Sequence, residues 1–253
     1  MAIVDPDKMS FLEHLDELRS RLIKVLASLV VAFVVCWAFR DPIFHFLTQP
    51  LRISHPDIKF IFTSPSEALM LKMKMAFFVG IFLAAPYILY EIWAFVSPGL
   101  YRHEKAYAVP FIAAGTLFFL GGAAFGHYYL FPITFRFLIE FGGADMQFLP
   151  KVGEYYSFYS WFLLGLGVVF QLPVVIFVLA RIGLVTPRFL MRNFKYAVVI
   201  SFVVAAIITP TPDMVTQSLL ALPMLGLYLL GVGVAAIFGR PRRSPATEIS
   251  AEA

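Results

Sequence analysis

The chain has 253 residues and a formal net charge of +4; it is 60% hydrophobic, only 14% charged, and has a mean hydropathy of +0.82. A soluble domain carries roughly 45–50% apolar and about 25% charged residues, so this composition excludes a water-soluble protein and reads as an integral membrane protein. The single Cys36 excludes an intramolecular disulfide and a cysteine-based metal cluster, and the basic residues sit at span ends rather than in an aromatic-interleaved stripe, which excludes a nucleic-acid surface.

A short charged helix is predicted over 10–21, directly in front of the first apolar span. Ser10 followed by Glu13 has the form of a capping box. Phe11, Leu15, Leu18 and Leu22 recur at 4-3-4 spacing as one apolar stripe, while Glu13, Glu17 and Arg21 share another face. This amphipathic helix presents carboxylates at the membrane surface, an arrangement suited to a cationic partner. A cleavable signal peptide is not expected, because the first apolar run follows the charged helix and has no small-x-small site behind it.

A spanning helix needs about 20 predominantly apolar residues. On that measure spans are predicted at 22–39, 69–96, 107–131, 158–180, 196–209 and 214–238. Arg40-Asp41-Pro42 ends the first, and the polar stretch beyond it, with Pro50, Pro56 and Pro65 as breakers, reads as an outer loop. Pro132 closes the third span, Arg181 ends the fourth, and Pro210 and Pro212 stop the fifth. The fifth run, at about 14 residues, would reach roughly 21 Å against a hydrocarbon core near 30 Å. Either its neighbours shield it or the bilayer thins beside it, and thinning is the preferred expectation.

Six spans put both termini on one side. That side carries Lys8, Arg19, Arg21, Lys24, Arg102, Lys105, Arg181, Arg188, Arg192, Lys195 and the tail arginines, thirteen of the twenty basic residues. The positive-inside rule therefore makes both termini cytoplasmic. The expected domain plan is a single transmembrane domain over 1–238 and a basic, disordered cytoplasmic tail over 239–253. The two halves do not mirror each other in span length or motif, which weakens a repeat-built transporter.

A second charged motif, Trp93-Ala94-Phe95-Val96-Ser97-Pro98-Gly99-Leu100-Tyr101-Arg102-His103-Glu104, joins spans two and three on the same side as the first. Pro98-Gly99 forces a turn, and Glu104 brings a carboxylate near headgroup depth. Taken alone, Glu104 reads as a surface pair with Lys105 or Arg102, and Glu17 as an i,i+4 pair with Arg21. Glu91, one turn before Trp93, is expected at the interface rather than in the membrane interior.

Together the motifs resemble the TatC family, the six-span subunit of the twin-arginine protein translocase. The resemblance rests on His14-Leu15-x-Glu17-Leu18-Arg19-x-Arg21 and on Ala85-Pro86-x-Ile88-Leu89-Tyr90-x-x-Trp93-Ala94-Phe95 running into Leu100-Tyr101-x-His103-Glu104. Phe131-Pro132, Phe170-Gln171-Leu172-Pro173-Val174, Thr209-Pro210-x-Pro212-Asp213 and Gln217-x-Leu219-Leu220-Ala221-x-Pro223-Met224 continue it in order over residues 10–238.

The resemblance implies an all-α integral membrane protein. It would have six transmembrane helices, N-in and C-in, in a proline-kinked concave bundle with short helices five and six. It also implies a receptor for twin-arginine signal peptides of folded cargo. Glu17 and Glu104 would accept the two guanidiniums, and Arg19, Phe95 and His103 would belong to the same site. Implied partners are single-span TatA- and TatB-type subunits, further copies of the chain and membrane lipid, in the cell inner membrane. Pro50, Pro210, Asp213, Gln171 and Gln217 are partner-contact or structural positions. Asp213 reads as a cap on the sixth helix, and Pro50 equally as a turn. Relatives often carry Glu where Gln171 stands, so a charge-dependent role there is in doubt. No cofactor, metal or enzymatic activity is implied.

Other function classes fare worse. Of the five histidines only His127 lies within a span, so paired haem ligands are missing. Ser28 and Ser201 have no histidine companion at comparable depth, which removes an intramembrane hydrolase. The chain has no phosphate-binding glycine loop for ATP. An ion-coupled small-solute transporter, with helices opened at Pro86, Pro110, Pro173 and Pro223, is the remaining alternative.

Overall fold

The computed structural model describes residues 11–54, 60–61, 63–96, 108–141, 148–209 and 213–239, and these are almost entirely helical. The elements are α1 Phe11–Ala38, α2 Arg40–Ser54, α3 Pro65–Val96, α4 Ala108–Phe125, a π-helical turn Gly126–Leu130, α5 Phe131–Glu140, α6 Val152–Val169, α7 Leu172–Arg181, α8 Pro187–Arg192, α9 Phe194–Ile208 and α10 Met214–Phe238. The only extended pairing among the described residues is an isolated bridge between Ile61 and Lys151. Among the described residues five stretches are long and apolar enough to cross a bilayer: His14–Ala38, Pro65–Phe95, Val109–Glu140, Val152–Arg181 and Met214–Phe238. Their outward faces carry large apolar side chains, such as Val30, Val31, Val34, Leu117 and Leu222, each more than 60% exposed. Such surfaces are tolerated where lipid is the solvent, and helices satisfy their own backbone polar groups there.

Several expectations change. The charged segment before the first span is not a separate helix. Nothing between Phe11 and Ala38 is Gly or Pro, so helical bonding runs through without a stop. The outer loop after Arg40 is the 15-residue helix α2, with Pro50 buried inside it. Pro132 does not close the third span. Ahead of it the Phe131 N–H reaches five residues back to the Gly126 carbonyl, and this widened turn lets the helix continue through the proline to Glu140. The fourth span begins earlier than expected and is interrupted. Pro173 cannot donate to the Val169 carbonyl and its ring would crowd it, so the chain turns at Phe170-Gln171. There the Gln171 N–H bonds Val168 O at 3.0 Å, and α7 restarts with Val175 N–H on Gln171 O at 2.9 Å. The fifth run is short as expected, at 15 residues. The sixth is not short as the resemblance implies: α10 has 25 residues and matches the span predicted from apolar length, because Asp213 caps its first turn and the apolar run then continues to Phe238.

The chain divides into two compact units. The first comprises residues 1–49, 60–117 and 151–156. Within it α1 packs along α3, and Gly80 permits the approach, since a Cβ there would stand 3.3 Å from the Phe33 nitrogen. Lys72, which breaks the apolar pattern of the second span, is held by Asp41 at 2.7 Å. The buried tyrosines donate to helix carbonyls, Tyr155 to Leu47 at 3.1 Å and Tyr156 to Lys74 at 2.9 Å.

The second unit comprises residues 50–59, 118–150 and 157–253. In it α10 packs on α7 and α9. Ile176, Ala180, Leu190, Val232 and Ala235 form a buried core with Tyr228 and Val185 against it. A second cluster is aromatic: Phe131, fully buried, meets Phe135, Phe158, Tyr159 and Phe162 at centroid distances of 4.9–5.8 Å.

A candidate binding site around Glu17

Near its N-terminal end α1 turns two of its charges, Glu17 and Arg21, inward. Leu15, Leu18 and Leu22 of the predicted apolar stripe are 45–56% exposed, whereas the Glu17 and Arg21 side chains retain 17% and 20% exposure and face α3. The i,i+4 pair is formed: Nε of Arg21 donates to Oε1 of Glu17 at 2.9 Å, and Nη2 donates to the same oxygen. The third edge of the guanidinium crosses to α3, where Nη1 donates to Oε2 of Glu91 at 2.9 Å.

Glu91 is a buried side chain within the protein. It is 3% exposed and paired with Arg21, because the packing of α1 on α3 brings a guanidinium within reach of its carboxylate. No sequence periodicity relates positions 21 and 91, and Glu91 was absent from the expected site. The available signal was its carboxylate one turn inside an apolar span, on the same side as the N-terminal charges.

Glu17 keeps one free acceptor. Its Oε2 is buried and has no hydrogen-bond partner among the described residues, and Nδ1 of His14 lies 3.8 Å away, beyond hydrogen-bond reach. The His14 ring is itself stacked on Phe95, centroids 4.4 Å apart and planes within 16°. Phe95 and Glu17 thus border the same histidine. Trp93, two residues before Phe95, is buried against Phe111 at 4.4 Å, which anchors the end of α3. Arg19 points out and is exposed.

His103, Glu104 and Pro210 lie outside the described residues, as does Ser10 of the capping box. Four other expected positions fall elsewhere in the fold. Asp213 caps α10, its Oδ1 accepting the Thr216 N–H at 2.8 Å and its Oδ2 the Thr216 hydroxyl. Gln217, half-buried, follows one turn later, its N–H on the Asp213 carbonyl at 3.2 Å. Gln171 sits half-buried at the α6–α7 interruption rather than inside a continuous span. Pro50 is inside α2.

The site can therefore hold a cation by one buried carboxylate oxygen beside an aromatic–imidazole stack. No nucleophile–base pair accompanies it among the described residues.

The family model for the Sec-independent protein translocase protein TatC matches residues 13–223. The Sec-independent protein translocase protein TatC of Koribacter versatilis is 42% identical over 90% of this chain and 85% of its own length. The protein of the same name from Desulforapulum autotrophicum is 41% identical over 96% and 90%. A crystal structure of the twin arginine translocase receptor TatC in DDM superposes with a TM-score of 0.79 at 36% identity, covering 88% of this chain and 99% of that one. These matches give no support to the solute-transporter alternative. The chain belongs to the TatC family of Sec-independent protein translocase proteins.

Proposed function

We propose that this protein is the receptor subunit of a twin-arginine translocation system, binding signal peptides of folded cargo at the cytoplasmic membrane face. It is a translocase component rather than an enzyme. A guanidinium is a planar donor fork that pairs with carboxylates, whereas lysine offers a point charge, so an arginine pair calls for two acidic acceptors. Glu17 and Glu104 fill that role, with Arg19, Phe95 and His103 in the same site. The observation that carries the reading is the buried, unpartnered Oε2 of Glu17, poised on a family motif position.

Both termini are placed in the cytoplasm and the chain in the cell inner membrane, as one transmembrane domain over 1–238 with a basic tail. Single-span TatA- and TatB-type subunits and further copies of the chain complete the complex, which draws on the proton motive force. Gln171, Asp213, Gln217, Pro50 and Pro210 act in those contacts or in supporting the helices that make them. Export of a twin-arginine cargo in cells lacking their own TatC tests the assignment. Glu17→Ala and Glu104→Ala are expected to abolish export while leaving assembly intact; normal export by both would refute it.

A further inference from the structure

We infer that Glu91 supplies the negative charge with which Glu17 takes a cargo guanidinium, an inference that rests on the signal-peptide reading above. Arg21 spends two donors on one oxygen of Glu17, and that pair alone is electrically neutral. A neutral pair has little attraction for a second guanidinium, because the field of the carboxylate is cancelled a few ångströms away. Glu91 changes the sum. Its carboxylate takes the remaining edge of Arg21 and is 3% exposed, so its charge sits inside the protein beside that of the guanidinium. Counting His14 as neutral, Glu17, Arg21 and Glu91 together carry one negative charge.

The unmatched charge has an acceptor open to a donor on Glu17. Oε1 of Glu17 is occupied, Oε2 of Glu91 is occupied, and Oε2 of Glu17 is buried without a partner. Glu91 thus acts through Arg21: its charge offsets that of the guanidinium, and Oε2 of Glu17 stays available to a donor. One incoming guanidinium, donating an N–H to that oxygen, neutralises the group.

The test measures binding of a fluorescent twin-arginine signal peptide to the full-length protein in nanodiscs, with Glu17→Gln, Glu91→Gln and the double variant Arg21→Gln/Glu91→Gln. Glu91→Gln, isosteric but uncharged, is expected to weaken binding about tenfold. The double variant removes Arg21's compensating charge as well, so Glu17 regains its full negative charge, and binding is expected to return to within about threefold of the parent. Parent-like binding by Glu91→Gln overturns the inference. So does a double variant that binds as weakly as the single one. Should Glu91→Gln prove unstable, the double variant carries the test, since it removes the buried Glu91 carboxylate together with the guanidinium that pairs with it. The Glu17→Gln control separates the two levels. If it binds like the parent, the signal-peptide reading itself fails; if it loses binding while Glu91→Gln does not, only the role of Glu91 fails.

Discussion

The Tyr159 hydroxyl lies 2.6 Å from Nδ1 of His127, joining α6 to the π-helical turn within the aromatic cluster around Phe131. Tyr159 is fully buried and His127 is 3% exposed. A buried polar group left without its partner costs more than the bond contributed, whereas removing both partners is far cheaper. Tyr159→Phe is therefore expected to destabilise the protein by about 1–2 kcal/mol in detergent. Adding His127→Phe should recover part of that loss rather than add to it. Thermal melting of the two single variants and the double one gives the coupling directly.

Close helix approach in the second unit depends on particular glycines. A Cβ at Gly122 would stand 2.9 Å from the Leu166 carbonyl and 2.7 Å from the Phe170 ring, while one at its neighbour Gly121 meets nothing within 4 Å. Gly122→Ala is expected to cost about 1–3 kcal/mol through overpacking. Gly121→Ala should be neutral or stabilise the helix by up to about 1 kcal/mol. Melting temperatures of the two variants, measured side by side, check this.

The start of α10 rests on one side chain. Asp213→Ala removes acceptors from both the Thr216 N–H and its hydroxyl, and is expected to cost about 0.5–2 kcal/mol. Asp213→Asn, which retains a capping oxygen, should lose less. Hydrogen exchange at 214–217 would rise in the alanine variant first, because those N–H groups belong to the first turn.

Sequence was most informative where apolar length decides the structure. Met214–Phe238 coincides with the predicted sixth span, and the cap at Asp213 was legible from an acidic residue standing before an apolar helical run. It was least informative where proline was read as a stop. Pro50 and Pro132 are both carried inside longer helical segments, the second by a π turn that depends on hydrogen-bond geometry rather than residue type. At α2 the start signal Asp41-Pro42 was present but outweighed by the polar composition of the helix. Half of the proposed site was visible as the Glu17 motif. The Arg21–Glu91 pair was not, since it joins residues 70 positions apart and only the packing of α1 on α3 brings them together.

The short fifth helix gives a fourth prediction. With 15 residues α9 is about 22 Å long, and Val199, Ile200, Val203 and Ile207 on it are 53–64% exposed, so its own chain does not shield it. Local thinning of the bilayer follows as the expected response. Spin labels at positions 200 and 203 in a Cys36→Ala background should report a depth about 4 Å shallower than a label at Val30 of α1. Equal depth at the three positions would contradict thinning.

The central claim is that Glu17 and Glu104 together receive the arginine pair of a signal peptide. Site-specific photocrosslinking from positions 17 and 104, in membranes holding the assembled translocase, tests it most directly. The account predicts strong crosslinks from both positions to a peptide with its two arginines intact, and their loss when both are changed to lysine. Crosslinks of equal strength to the lysine peptide, or none from either position to the arginine peptide, would contradict it.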